Sequence, residues 1–193
     1  MLKTIACAAF SLLSVAVIAQ QNPAPQPKRM LTWVAAQAPQ VKRLSDALSG
    51  KWKTTEKFEA DEFHKSGATG SGVFSIREGP GGNSLILDYK SQSSMGSYSS
   101  TRIIYWDGRA GDYKAFYCDS LQPGGCGGAG TGKWEGKDLV FESTTKGHRG
   151  SIQVNERFSD ISSVGFTFSL DVVDRGKSER SLTIQARKMG AKP

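Results

Sequence analysis

The hydrophobic pattern of the chain changes just after Gly50, from a helical period to an alternation of every second residue. Before that point, Val41, Leu44 and Leu48 are spaced for one face of a helix over residues 37–48, and Gly50 stands where such a helix would end. After it, apolar and polar residues alternate, and clusters of Gly, Asn and Asp interrupt the alternation every 8 to 14 residues. The pattern predicts one short helix followed by an all-β segment.

Ten strands are predicted from this alternation and its interruptions. Their approximate bounds are 51–59, 68–78, 83–92, 97–107, 112–119, 126–135, 137–145, 149–158, 163–173 and 178–188. Short turns containing glycine join most of them, as hairpins require. Sequential antiparallel strands with short connections favour an up-and-down barrel, because closure removes the exposed edges of an open sheet. A two-sheet sandwich is the alternative, but no connection is long enough to suggest the Greek-key links that a sandwich normally needs.

Three of the predicted strands interrupt the inward and outward alternation. Strand 97–107 is polar in its first half and apolar in its second, and strand 126–135 has almost no large side chain until near its end. In strand 112–119, either Phe116 or Tyr117 could face the interior. Because glycine inside a strand often marks a bend or a close approach, we expect a wall of small residues on one side of the barrel.

Residues 1–19 have the pattern of a secretory signal peptide. Lys3 is followed by an uncharged apolar run, and Val17 and Ala19 stand at the positions that precede a cleavage site before Gln20. An uncleaved membrane anchor is the alternative, but the run is shorter than the roughly 20 apolar residues that a spanning helix needs. We therefore expect a secreted or periplasmic protein that has no stable membrane span after cleavage.

The rest of the chain suits a single domain with one disulfide. Residues 20–36 hold three of the seven prolines and predict an extended linker, and residues 37–190 form the predicted barrel domain. Cys118 and Cys126 remain after cleavage, and such a close pair in an oxidising compartment indicates a disulfide. A zinc site is less favoured, because two thiolates need further ligands and both histidines, His64 and His148, fall in polar turns.

The charge of the chain is basic but dispersed. There are 25 Lys and Arg against 18 Asp and Glu, and loss of Lys3 with the signal peptide leaves 24 − 18 = +6. A basic balance can indicate nucleic acid or an anionic membrane as the partner. Here the basic residues occur singly or in pairs with acidic residues between them. We expect a mildly basic surface and no binding of nucleic acid.

Motifs that carry chemistry are missing from the sequence. Residues 125–130 read G-C-G-G-A-G, a formal match to the dinucleotide fingerprint, but a turn and a strand follow where the motif needs a helix to hold the pyrophosphate. No nucleophile elbow, zinc-protease motif or EF-hand loop occurs. We predict no catalytic residue, no metal site and no cofactor. An enzyme would need charged strand residues to meet inside the barrel, and Glu56, Asp88 and Arg102 are the candidates.

The aromatic residues give the strongest indication of a binding function. The chain has four Trp, five Tyr and nine Phe, and those within the barrel can either line a cavity or fill a closed core. The residues that we predict to line a cavity are Tyr89, Tyr105, Tyr117, Phe141, Phe168 and Ile184. The working hypothesis is a barrel that binds a small hydrophobic molecule. The alternative is a ligand-free structural or interaction module of the cell envelope, which a cavity smaller than about 300 Å³ would favour.

Several short motifs in a fixed order carry a resemblance to a known family. They read LSGKWKT, YWDGRAGDYKAFYCDS, GTGKWEGKDLVFES, RFSDISSVGFTFSL and LTIQARK, and they cover about residues 38–189. The chain resembles the calycin plan of lipocalins and fatty-acid-binding proteins, and more closely a bacterial lipocalin-like family described only as a domain of unknown function. The resemblance implies a barrel of this type and no established activity.

The same resemblance implies a structural role for the Gly-x-Trp motif at the start of the first strand. Gly50 would let the chain turn from the helix into the barrel, and Trp52 would lie at the closed end. A basic residue of the last strand would lie over its ring, with Arg187 as the matching candidate and Lys188 as the other. A ligand would then bind at the opposite end.

The haem-binding nitrobindins are a related barrel family. They combine a glycine-rich first strand with a histidine iron ligand near the C-terminus. Here the first strand, GKWKTTEKF, lacks the additional glycines, and the last two strands contain no histidine. We therefore expect no haem.

Overall fold

In the computed structural model, ten strands follow one short α-helix. The structure describes residues 36–60, 65–121, 125–147, 150–174 and 176–190. The predicted signal peptide, and the predicted linker apart from its last residue, lie outside the described residues. The elements are α1 Pro39–Leu48, β1 Gly50–Phe58, β2 Ala68–Glu78, a 3₁₀ turn Pro80–Gly82, β3 Ser84–Ser93, β4 Gly96–Asp107, β5 Asp112–Asp119, β6 Cys126–Glu135, β7 Asp138–Gly147, β8 Gly150–Ser159, β9 Gly165–Asp174 and β10 Lys177–Lys188.

The strands form a closed antiparallel barrel in which each strand pairs with its sequence neighbours. β10 closes the ring by pairing with β1, for example Glu56 opposite Ile184. The predicted fold class, an antiparallel up-and-down barrel of about ten strands with a short N-terminal helix, is confirmed, and the sandwich alternative is wrong. Every predicted bound lies within two residues of the observed one. The helix begins at Pro39, a residue whose fixed φ suits the first helical position.

Helix α1 packs at one end of the barrel, against β2, β3 and β4. Its apolar face is fully buried, with Leu44 and Leu48 both 0% exposed. Ser49 is extended and leads into Gly50, whose φ of 140° is one that other residues rarely adopt. The glycine therefore permits the sharp turn that brings the chain from the helix into β1. We call this end of the barrel the closed end.

The hydrophobic core lies at the closed end. The rings of Trp52, Phe74, Phe158 and Phe168 cluster around Phe166 and one another, with centroids between 4.9 and 5.9 Å apart. These separations are typical of favourable aromatic contacts. The aromatic cluster thus extends from Trp52 at the closed end to Phe74, Phe158 and Phe168, which also line an interior cavity.

The strand pair β5–β6 resolves the ambiguity between Phe116 and Tyr117. Phe116 lies on the outer face and is 43% exposed, whereas Tyr117 faces the interior. The register shifts between these two residues, and Gly128 is the extra residue on β6, with φ 58°. A Cβ atom at Gly128 would lie only 3.2 Å from Cε1 of Tyr117. The bulge and its glycine therefore make room for the Tyr117 ring.

The small residues of β6 also make room for a large side chain of the next strand. Gly132 is paired with Phe141 of β7, and a Cβ atom at Gly132 would overlap the Phe141 ring. Phe141 is 1% exposed. The glycine-rich strand is therefore a surface against which an aromatic residue packs. Within the described ranges, no helix has the length and apolar character needed to cross a membrane.

Candidate functional site: an interior cavity at the open end

A cavity of about 530 Å³ lies at the end of the barrel opposite α1, which we call the open end. Residues from β1 to β5 and from β7 to β10 line it. Its volume falls within the roughly 300–1,000 Å³ that is usual for small-molecule sites. The predicted position for a ligand, away from Trp52, is thus the position of the cavity.

The walls of the cavity are mainly apolar, and its mouth is rich in serine. Apolar lining residues are Phe58, Leu87, Phe168, Leu170, Leu182 and Ile184. Serines 91, 93, 97 and 100 come from the hairpin that joins β3 to β4. Two exposed apolar side chains, Met95 and Leu121, also stand at the mouth. The arrangement suits a molecule with an apolar body.

Four of the six residues predicted to line a cavity do face it. Tyr89, Tyr117, Phe168 and Ile184 come from β3, β5, β9 and β10, and the closure of the barrel brings them to the same space. Their side chains all lie on the inward face of their strands. A contact between any of them and a ligand stays a prediction.

The other two predicted lining residues lie elsewhere. Tyr105 is 43% exposed on the outer face of β4, because its neighbour Ile104 is the buried residue of the alternation. Phe141 is buried in the core beneath the cavity. Arg102, which does line the cavity, has its guanidinium carbon 5.0 Å from the centroid of the Phe141 ring and covers it. The expectation that these two residues line the cavity is corrected accordingly.

A buried acid lies in the cavity wall on β1. Trp52, Thr54 and Glu56 share the inward face of the strand, and Glu56 is 4% exposed. The hydroxyl of Tyr89 donates a hydrogen bond to Oε1 of Glu56 and lies 3.1 Å from the hydroxyl of Thr54. Among the described residues, Oε2 of Glu56 has no hydrogen-bond partner. The carboxyl group of Glu56 therefore has one oxygen in a hydrogen bond and one buried oxygen without a partner among the described residues.

Two glycines of β2 provide the space for this acid and its partner. Gly70 pairs with Glu56, and a Cβ atom there would overlap Oε2 of Glu56. A Cβ atom at Gly72 would lie 2.9 Å from the Tyr89 hydroxyl and 2.5 Å from the carbonyl oxygen of Lys90. The two glycines in the sequence ATGSG at the start of β2 are therefore explained by steric exclusion of a Cβ atom at each position.

The phenol of Tyr89 acts as a hydrogen-bond donor. Burial raises the pKa of Tyr89 well above its usual value, and the hydrogen bond to Glu56 raises that pKa further. Both effects favour the protonated phenol. Tyr89 therefore keeps its proton and holds the carboxyl group of Glu56 in one orientation.

A second charged group crosses the interior of the barrel. Arg102 on β4 forms an ion pair with Glu156 on β8, and the two strands are four positions apart around a ring of ten. Their side chains are 13% and 16% exposed. The pair therefore links nearly opposite walls. With Phe141 beneath the guanidinium, it forms part of the cavity floor.

The three charged strand residues named from the sequence are thus divided between the two faces of the sheet. Glu56 and Arg102 line the cavity. Asp88 faces outwards, accepts a hydrogen bond of 2.7 Å from Thr101 and lies 3.7 Å from Arg77. The described part of the chain contains no group of three or more His, Cys, Asp or Glu that could hold a metal ion.

Sequence reasoning missed Glu156, the partner of Arg102 inside the barrel. Its signal is its position two residues before Phe158, which is 1% exposed. Because alternate residues of a strand share a face, Glu156 must point inwards with Phe158. Glu142 of the neighbouring strand β7 is an exposed acid at a similar place, so the pattern alone does not single Glu156 out.

At the closed end, the cation over Trp52 is Lys188 and not Arg187. Nζ of Lys188 lies 5.2 Å from the Trp52 ring centroid, and Nε1 of Trp52 donates a 2.8 Å hydrogen bond to the carbonyl of Leu48. Ala186 is buried, so Lys188 shares its inward side and Arg187 points away. The resemblance placed Arg187 here, and the strand alternation corrects it.

Cys118 and Cys126 form the predicted disulfide, which is confirmed. The two residues are directly paired across β5 and β6, near the open end. Cys118 follows Tyr117, which lines the cavity. The bond therefore fastens the part of the wall that carries Tyr117.

The sequence matches no protein-family model and no curated protein. Among solved structures, the chain is similar to the S-type phycobiliprotein lyase CPES from Guillardia theta, with 12% sequence identity and a TM-score of 0.49, over 79% of this chain and 94% of that one. A similarity of this size carries no argument about function. The fold rests on the strand order and register, which form a closed antiparallel barrel of ten strands. Membership of the bacterial lipocalin-like family stays a prediction.

Proposed function

We propose that the protein binds a small, mainly apolar molecule in the cavity at the open end of the barrel. The cavity itself is the observation that carries this proposal: about 530 Å³ of space lined by side chains such as Leu87, Phe168 and Ile184. Apolar surface facing water costs about 25 cal/mol per Å², and a bound apolar molecule would remove that cost. A ligand-free module would be expected to fill this space, so the packed alternative has less support.

We also propose that the molecule is bound outside the cytoplasm. The signal-peptide pattern of residues 1–19 supports export. The Cys118–Cys126 disulfide suits an oxidising compartment. Together they favour the periplasm or the exterior of the cell as the compartment in which the protein binds its ligand.

Titration with a neutral apolar fluorescent probe tests the proposal. We expect N-phenyl-1-naphthylamine to gain fluorescence when it is added to the purified chain, with saturation at one probe per protein. Ser100→Trp should abolish the gain, because Ser100 lines the cavity and the indole would occupy part of it. Ser99→Trp is the matched control, since Ser99 is the exposed neighbour on the same strand.

The outcomes separate the two functions. Native mass spectrometry of protein purified from its own cells should show an additional small-molecule mass. An empty protein that takes up no probe would overturn the proposal in favour of a ligand-free module. Equal effects of Ser99→Trp and Ser100→Trp would place the probe outside the cavity and overturn it as well.

A further inference from the structure

We infer that the ligand of this cavity carries a protonated amine, which Glu56 binds while the apolar walls hold the rest of the molecule. The inference rests on the proposed function and names the chemical class of the ligand. Its starting point is a buried acid that no cationic group of the described chain neutralises.

Among the described residues that line the cavity, Glu56 has no cationic partner. The nearby interior charges are those of Arg102 and Glu156. Arg102 is already paired with Glu156. A carboxylate held away from water is costly unless it is paired and hydrogen-bonded. A cation brought by the ligand would provide that pairing for Glu56.

The immediate surroundings of Glu56 leave its carboxyl group only partly satisfied. Tyr89 donates a neutral hydrogen bond to Oε1, and Oε2 is buried without a partner among the described residues. Oε2 lies against Gly70, in the space that a Cβ atom there would take. An ammonium group in the cavity has several donor hydrogens and a positive charge, so it would supply a hydrogen bond and a countercharge to this carboxyl group together.

The net positive charge of the chain separates binding at a local acid from non-specific electrostatic attraction. The net charge is +7, which attracts anions to the molecule and repels cations from it. Non-specific electrostatics therefore predict that an amphiphilic acid would bind better than an amine. A preference for the amine can only arise from a local site such as Glu56.

Competition between three ligands of equal chain length tests the inference. Decylamine, decanol and decanoate are each titrated, at neutral pH, against bound N-phenyl-1-naphthylamine. We expect decylamine to compete about tenfold more strongly than decanol, which is the effect of roughly 1.4 kcal/mol of added interaction. We expect decanoate to be the weakest competitor.

Two substitutions test whether the preference for decylamine depends on Glu56. Glu56→Gln keeps the shape of the side chain and an oxygen that can accept from Tyr89, and it should bring decylamine to the level of decanol. Asp88→Asn is the matched control, because it removes a carboxylate from the outer face of a strand. It should leave the order of the three ligands unchanged.

Failure of this inference differs from failure of the proposed function. If the probe does not bind at all, the proposed function fails. If it binds but decanol or decanoate competes as well as decylamine, only the amine inference is overturned, and that comparison needs no variant. Should Glu56→Gln fail to fold, Tyr89→Phe keeps the carboxylate and must retain the amine preference. Its loss in that variant would assign recognition to the phenol and overturn the role of Glu56.

Discussion

Strand alternation decides the role of single side chains at both ends of the barrel. Ala186 is buried, so Lys188 lies over Trp52 and Arg187 does not. Ile104 is buried, so Tyr105 lies outside the barrel. At this scale, a shift of one residue along the chain exchanges an interior position for an exposed one.

Trp52→Phe tests the role of the indole at the closed end. The variant leaves the carbonyl of Leu48 without its donor and opens a small cavity where Trp52 is 1% exposed. We expect the free energy of unfolding to fall by about 2–4 kcal/mol. Urea denaturation followed by circular dichroism measures it. Arg187→Ala should change the same quantity by less than about 0.5 kcal/mol, and an equal loss in the two variants would restore Arg187 as the residue that covers Trp52.

The hairpin of β5 and β6 shows how one element shapes the cavity. A bulge at Gly128 makes room for the inward-facing ring of Tyr117, and the adjacent Cys118–Cys126 bond joins the two strands where they are paired. Further along β6, Gly132 receives the ring of Phe141. Small residues on one strand thus determine where the large residues of its neighbours lie.

Removal of the disulfide should destabilise the chain without changing its fold. The bond closes a loop of eight residues, for which the loop-entropy relation predicts about 2–3 kcal/mol. We expect the double variant Cys118→Ser/Cys126→Ser to lose that amount of unfolding free energy in urea. A reductant should weaken the unsubstituted protein to the same level and leave the double variant unaffected. Equal stability of the oxidised protein and the double variant would contradict the prediction.

Closure of the barrel buries the phenol groups of three tyrosines. The pKa values of Tyr89, Tyr98 and Tyr113 are all raised above the usual value for tyrosine, and burial is the main cause for each. In the unfolded chain, tyrosine loses its proton near pH 10. Above that pH the unfolded state binds fewer protons than the folded one. The stabilising contribution of these residues is therefore complete below about pH 10 and is lost as the pH rises towards their folded values.

Alkaline unfolding follows from these three tyrosines. We expect the midpoint of urea unfolding to fall steeply above about pH 10, and part of the tyrosinate absorbance to appear only as the protein unfolds. Tyr89→Phe should reduce that dependence on pH, because the variant has one buried phenol fewer. Complete tyrosine ionisation in the still folded protein would contradict the prediction.

The sequence by itself determined the elements, their order and the face of most side chains. Helical spacing, period-two alternation and glycine-containing turns are local properties, so they predicted α1 and all ten strands within two residues of their bounds. Four of six lining residues followed from the same alternation. Tyr105 and Phe141 did not, because alternation is weak in β4 and because depth along the barrel axis has no local signature.

Only the tertiary structure decided which interior side chains meet. Glu56 and Tyr89 come from β1 and β3, and Arg102 and Glu156 come from nearly opposite strands. The distance between such pairs depends on the register of every strand between them and on closure of the ring. Local periodicity predicts that a side chain points inwards. Only closure of the barrel determines which other side chains it contacts in the interior.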